Sequence, residues 1–293
     1  TTEISHLARL APDGSLDLNF NPGINYAVDA VAFQSDGKIV VGGGFTHAEP
    51  VGSTTPITRN RVARINPDGS IDSSFELDQG GRILVSVTQA DGKIVVGGSF
   101  TNIGGEAHNH LARLNADGKV DSTYNPDLNG AVYGMVIQPD GKVIVAGEFT
   151  TIGGERRSRL ARLNPSGTID SEFYPHFDGG RVGALALQQD GKVLVGGSFT
   201  SVQPSGAPEP LFTRSYLVRL NADGTLDTPF DPTPNSTIAA FALQQDGKIL
   251  VGGDFLSFTP GFYTNDTGIQ TQGFRRFSFA RLNADGTIDP LYD

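Results

Sequence analysis

The chain repeats itself about every 50 residues, and this constrains it more than any other feature. The string Asp-Gly-Lys, an apolar run and a glycine-centred segment recur with central glycines at Gly37, Gly92, Gly141, Gly191 and Gly247, spaced 55, 49, 50 and 56 residues apart. A second string, Arg-Leu/Ile-Asn-x-Asp/Ser-Gly, alternates with it from Arg64, Arg113, Arg162, Arg219 and Arg281, and from Arg9 with Ala11 in place of the asparagine. A unit of this length buries its apolar faces on its neighbours, so the repeat specifies an array.

The third unit shows what is repeated. Val132 to Gln138 is short and apolar, Pro139-Asp140-Gly141-Lys142 is a turn, and Val143 to Phe149 is a second β-rich run. Asp and Gly suit such a turn because they tolerate positive φ. After a polar loop, Leu160 to Leu163 forms a third run, Pro165-Ser166-Gly167 a second turn, and Thr168 to Phe173 a fourth run. No stretch has sustained helical periodicity. The expected fold is therefore all-β: a β-propeller of four-stranded antiparallel blades, with five full repeats and an extra N-terminal hairpin, making five or six blades. The hairpin covers residues 6–20 and the repeats about 28–76, 83–125, 132–173, 182–230 and 238–292, read as one domain over 1–293.

The segments Gly-Glu-Phe-Thr-Thr-Ile-Gly-Gly-Glu at 147–155, Leu-Ala-Arg-Leu-Asn at 160–164 and Gly-Thr-Ile-Asp-Ser-Glu-Phe at 167–173 resemble the delta-60 repeat. The resemblance covers nearly the whole chain. It implies a bacterial β-propeller of the kind found in large exported and surface proteins, and it brings no catalytic residues. Units one, four and five lack the Ile-Gly-Gly-Glu element.

The formal charge is −10. It argues against nucleic acid and anionic membranes, which require a basic face. All six lysines follow an Asp-Gly pair, so they belong to turns. No run approaches the ~20 apolar residues of a membrane span. With no Cys or Trp and one Met, the composition fits an exported or cell-surface bacterial protein.

Residues present in every unit read as scaffold: the glutamines Gln34, Gln89, Gln138, Gln188 and Gln244 bonding backbone near the Asp-Gly turn, and the arginines pairing with carboxylates such as Asp72 and Asp121. A single site must come from where units differ. Antiparallel order puts both tight turns of a blade on one side and the longer connections on the other. The loops between second and third strands hold 17, 11, 11, 18 and 24 residues, and variable loops on a rigid scaffold are where function concentrates. The candidate binding residues are Phe258, Phe262, Tyr263, Phe274, Arg275 and Arg276 in the last loop, and Phe212 and Tyr216 in the one before. Aromatics with Arg are the usual makings of a binding hot spot, though the same rings could simply pack the loops onto the rim.

Other signals are weaker. Asn66 to Asp72 overlaps part of a calcium loop but has Arg64 and Phe75 where ligands should stand, so a hairpin turn is expected. His108-x-His110 lacks an evident third ligand. Asp29, Glu148 and Asp254 break the symmetry of their positions and could serve a glycosidase, which needs two nearby carboxyl groups. The leading expectation is a non-enzymatic interaction or structural module, with no cofactor or metal, that binds a protein or glycan on the variable-loop side. The alternatives are a multivalent lectin with one sugar site per blade and a propeller glycosidase.

Overall fold

Each Asp-Gly-Lys string closes a hairpin. Its glycine adopts φ between +80° and +83° in all five units, a region open to glycine at little cost. The Asp36 carboxylate accepts the Lys38 backbone N–H at 3.1 Å, and the same bond recurs at Asp91, Asp140, Asp190 and Asp246. The computed structural model describes residues 6–50, 52–53, 55–77, 80–206, 212–258, 263–264, 270–271, 274–275 and 278–291.

The hairpins build five antiparallel three-stranded sheets: Val28–Phe33, Ile39–Gly43 and Val62–Ile65; Ile83–Thr88, Ile94–Gly98 and Leu111–Leu114; Val132–Ile137, Val143–Gly147 and Leu160–Leu163; Val182–Leu187, Val193–Gly197 and Leu217–Leu220; Ile238–Leu243, Ile249–Gly253 and Phe279–Leu282. The second strand is central in each sheet, and in the first four it is buried along its whole length. Its unbroken Val/Ile/Leu composition is the signature of a strand covered on both faces. The first strand bulges where it meets the closing glycines, as between Ile83 and Val85. A Cβ at Gly98 would lie 1.9 Å from the Arg82 carbonyl oxygen, so only glycine permits that approach.

The expected fourth strand is abbreviated to a single bridge: Ile65↔Ile71, Leu114↔Val120, Leu163↔Ile169, Leu220↔Leu226 and Leu282↔Ile288. The ladder stops because the next residue, an aspartate, turns its side chain into the blade. Asp72 caps Ser74 N–H and Oγ, and its backbone carbonyl accepts the Phe75 N–H at 3.3 Å, closing a turn. The polar loops carry small hairpins, such as Asn102–Ile103 with Glu106–Ala107 and Thr151–Ile152 with Glu155–Arg156.

The chain divides into two compact units, Thr1–Val132 and Tyr133–Asp293. The first holds the N-terminal hairpin and two sheets, with cores around Phe45 and Phe100. The second holds three sheets, with cores around Phe199 and Phe255. Within each unit, successive blades are joined through the turn side. Arg64 Nη1 donates to the Ala116 carbonyl of the next blade at 3.1 Å, and Phe75 lies where a Cβ on Gly118 would come within 2.3 Å of its ring. In the second unit Arg162 reaches Ala222 and Arg219 reaches Ala284, with Gly224 against Phe173 and Gly286 against Phe230. The N-terminal hairpin uses the same device: Arg9 stacks 4.4 Å from the Phe20 ring centre and donates to Pro67 O at 2.6 Å.

Candidate functional site

The recurring ionic residues form one structural motif. In every blade an aspartate accepts the Lys Nζ of the Asp-Gly-Lys turn at 2.7 to 3.0 Å and the Arg Nε of the third strand at 2.7 to 3.0 Å. The arginines therefore pair with Asp72 and Asp121 as expected, and the first-turn lysines join the same carboxylates. Burial works against the ionisation of Asp72, but hydrogen bonds from Lys38 and Ser74 and the charge of Arg64 outweigh it and hold the carboxyl well below the usual range. At Asp121 the Thr123 hydroxyl is the largest influence, and the net shift is again downward. The guanidinium also stacks on the aromatic residue eleven positions on: Arg113 lies 4.4 Å from the Tyr124 ring centre and Arg162 4.6 Å from that of Phe173.

Gln34 Nε2 donates to backbone as expected, but to Ala116 O beside the Asp117-Gly118 turn of the next blade, at 3.1 Å. The turn it adjoins is already closed by backbone, with Gln34 N–H on Lys38 O, which leaves the amide to bridge blades. The string Asn66 to Asp72 is a hairpin turn in which Asp68 caps Ser70 and Gly69 takes φ +88°.

The three symmetry-breaking acids differ in their surroundings. Asp29 accepts two hydrogen bonds from Arg82, at 2.5 and 3.1 Å, from the next blade. Glu148 stands near Tyr133, whose hydroxyl is pushed up first by burial and then by the Glu148 charge. Arg181 of the following blade lies 4.9 Å from the Tyr133 ring centre. Asp254 is exposed, and its backbone N–H donates to Thr237 O at 2.9 Å. His108 is 1% exposed with Nε2 3.6 Å from Glu106, whereas His110 sits at φ +66° with Nδ1 3.2 Å from Gly98 O. Among the described residues no group of three His, Cys, Asp or Glu side chains gathers in metal-binding geometry.

Of the aromatic–arginine candidates, Phe258 is fully buried in the core, edge-on to Phe255 at 4.8 Å. Its backbone pairs with Phe274, and that of Ser257 with Arg275, in a hairpin extending from the last blade. Tyr263–Thr264 pairs with Gln270–Thr271 beyond it. Phe262 and Arg276 lie outside the described residues. Phe212 is 42% exposed and bridges Val202 through its backbone. Tyr216 is half-buried against the core cluster containing Phe255, with φ +68°.

Comparison with known proteins gives a family and distant structural likenesses. No curated protein matches the chain. Virginiamycin B lyase from Staphylococcus aureus is 15% identical, covering 89% of this chain and 83% of that one, with a TM-score of 0.48. A gluconolactonase from Xanthomonas campestris is 14% identical over 84% of this chain and 75% of that one, with a TM-score of 0.45. An extracellular domain of a one-component system from B. thetaiotaomicron is 17% identical over 87% of this chain but 34% of that one, at 0.43. The family model for the DUF5122 β-propeller, a domain of unknown function, matches residues 5–20, 34–75, 89–124, 138–173, 188–230, 244–263 and 266–292. These segments hold most of the chain, including the N-terminal hairpin and all five Arg–Asp–Lys centres, and the protein belongs to the DUF5122 β-propeller family.

Proposed function

We propose that this protein is a non-enzymatic, exported β-propeller that binds a protein or glycan through its loop side. The observation that carries this reading is the engagement of Asp29, which accepts two hydrogen bonds from Arg82 of the next blade. A glycosidase needs one carboxyl group free to deliver a proton and another free to attack or activate water. A carboxylate that links adjacent blades, as Asp29 does, is spent on structure. The loop side, in contrast, presents exposed Phe212 and loops of unequal length above uniform blades. The exported location rests on the absence of cysteine and the Gly- and Thr-rich composition.

The test is an activity screen run beside a binding screen on the intact chain. Chromogenic glycosides and gluconolactone should not be turned over, and binding to an immobilised glycan or protein panel should survive Asp29→Asn, Glu148→Gln and Asp254→Asn. Combined replacement of Phe212, Phe262, Tyr263, Arg275 and Arg276 by Ala should abolish that binding, since hot-spot truncations commonly cost about 2 kcal/mol or more each. Turnover that disappears in the carboxylate variants would replace this reading with an enzymatic one.

A further inference from the structure

Arg59 is a buried cation whose donors are poorly matched. It is 9% exposed, and its five N–H groups find little. Nη1 donates to Thr58 O at 2.8 Å, Nη2 reaches Asp72 O at 3.4 Å, and Nε has no partner. Its nearest carboxylate, on Glu76, stands 3.8 Å away, and that side chain is 77% exposed. Burying a guanidinium is costly unless its donors are used.

The same position in the second, third and fourth blades is covered. Arg157 also leaves Nε without a partner, but the Tyr174 ring lies 4.3 Å from its Cζ. Arg214 is held by Asp231 at 2.5 Å, with Phe230 O and Thr228 O also accepting. In the second blade the position is His108, and Asn125 donates across to Ala107 O at 3.0 Å. The residue after the stacked aromatic decides the outcome: Tyr174, Asp231 and Asn125 each close their blade, and Glu76 does not.

What Glu76 leaves open is a cleft of about 540 Å³ between the first two blades, within the ~300–1,000 Å³ range of small-molecule sites. One wall is the loop segment Thr58 to Asn60, with Thr58 and Asn60 exposed on either side of the arginine. Glu76, Leu77, Gly104 and Gly105 complete the lining, and a Cβ at Gly105 would meet nothing within 4 Å. One apolar side chain and no aromatic line it, whereas hydroxyl, amide and carboxylate groups do.

We propose that this cleft binds an acidic sugar, its carboxylate on Arg59 and its hydroxyls on Thr58, Asn60 and Glu76. A carboxylate is the natural complement, because a planar fork of N–H donors takes it bidentately. The polar lining favours a hydroxylated ligand over a peptide, whose recognition relies on aromatic and apolar anchors. The inference deepens the loop-side binding reading: the longer connections of both blades build the site. It adds a second loop-side site to the aromatic–arginine cluster, built without loop aromatics.

The experiment uses the intact, ¹⁵N-labelled chain and follows the amide signals of Asn60, Gly104 and Gly105. D-galacturonate should shift them saturably, and D-galactose, which lacks the carboxylate, should not. Glu76→Gln removes a competing like charge and should tighten galacturonate binding by about threefold. Glu76→Tyr reproduces the Tyr174 closure and should weaken it by about tenfold or more, as a ring covers the cation. Both changes fall on an exposed residue, and unchanged melting temperatures would confirm folding. Arg59→Lys should weaken binding by about tenfold through loss of the bidentate contact. The proposal is overturned if galacturonate leaves these signals unmoved, if galactose or inorganic phosphate shifts them with equal affinity, if Glu76→Tyr binds like the parent, or if a tetraglutamate peptide binds more tightly than the sugar acid. Failure here alongside success on another glycan or protein would leave the broader loop-side reading intact.

Discussion

Arg64 and Arg59 lie five residues apart, and both are less than a tenth exposed. On the turn side, Arg64 spends Nε on Asp72, Nη2 on Ser74 and Nη1 on the next blade, and its face rests on Phe75. On the loop side, Arg59 makes one short hydrogen bond and one long one. The Arg–Asp–Lys centre is repeated in every blade, whereas the loop-side position and the residue facing it change among the first four blades. A repeat protein is a sum of unit stabilities and interfaces between neighbours. Uniformity is thus expected where blades are joined, and divergence is permitted where they are not. The comparison predicts that turn-side changes read out as stability and loop-side changes as binding.

The strongest test breaks a turn-side centre. Asp170→Ala removes the acceptor of both Lys142 and Arg162, whose side chain is 9% exposed. Leaving a buried guanidinium unpaired should cost about 3–5 kcal/mol by chemical denaturation. Phe212→Ala, on an exposed loop residue, should cost well under 1 kcal/mol. Equal losses would erase the distinction between the two sides.

The next test isolates the contact between blades. Gly118 and Gly14 have φ of +94° and +83°, so alanine strains both backbones alike. Only at Gly118 would the new Cβ strike Phe75, at 2.3 Å, while at Gly14 it meets nothing within 4 Å. Gly14→Ala should cost about 1 kcal/mol, and Gly118→Ala a further ~1–3 kcal/mol from overpacking. A difference near zero would mean that the ring does not bear on the next turn.

The five aspartates share a pH signature. Each has its carboxyl held below the usual carboxylate range, at Asp289 chiefly through the hydrogen bond from Lys248. A carboxylate favoured in the folded state contributes stability that is fully present above its unfolded pKa and is lost as pH falls towards the folded value. The melting temperature should therefore be flat from about pH 7 to 5 and fall progressively below about pH 4. Stability that rises on acidification through that window would contradict the pairing.

The hairpins were legible because their cause is local: Asp and Gly at fixed offsets between apolar runs dictate the turn. The Arg–Asp pair was legible because its partners stand eight residues apart on strands joined by one turn. The amide of Gln34 was not, because its acceptor, Ala116 O, lies 82 residues away on the neighbouring blade. The shortened fourth strand was hidden too, since its Ile-Asp pattern does not reveal that the aspartate turns inward. Loop composition was misleading at Phe258, where a hairpin turns an aromatic into the core. Arg59 attracts no notice in sequence. Its openness depends on Glu76, seventeen positions on, and on a glycine pair in the next blade.

The smallest expected effect is also the sharpest illustration, because the local sequence is held fixed. The tripeptide Asp-Gly-Lys occurs at 140–142 and again at 117–119. In the first case the turn joins the first and second strands, and Lys142 Nζ reaches Asp170 at 2.8 Å with its side chain 28% exposed. In the second the turn follows the third strand, and Lys119 extends into solvent, 84% exposed and 3.8 Å from Asp117. A charge-assisted hydrogen bond to a buried carboxylate contributes about 1–2 kcal/mol after allowing for partial exposure. An exposed pair at the distance limit contributes close to nothing. Lys142→Ala should therefore lower the denaturation midpoint clearly, and Lys119→Ala should leave it within experimental scatter. If both substitutions cost the same, the lysines act through their turns rather than through the aspartate, and the shared ionic centre is not what joins strand to strand.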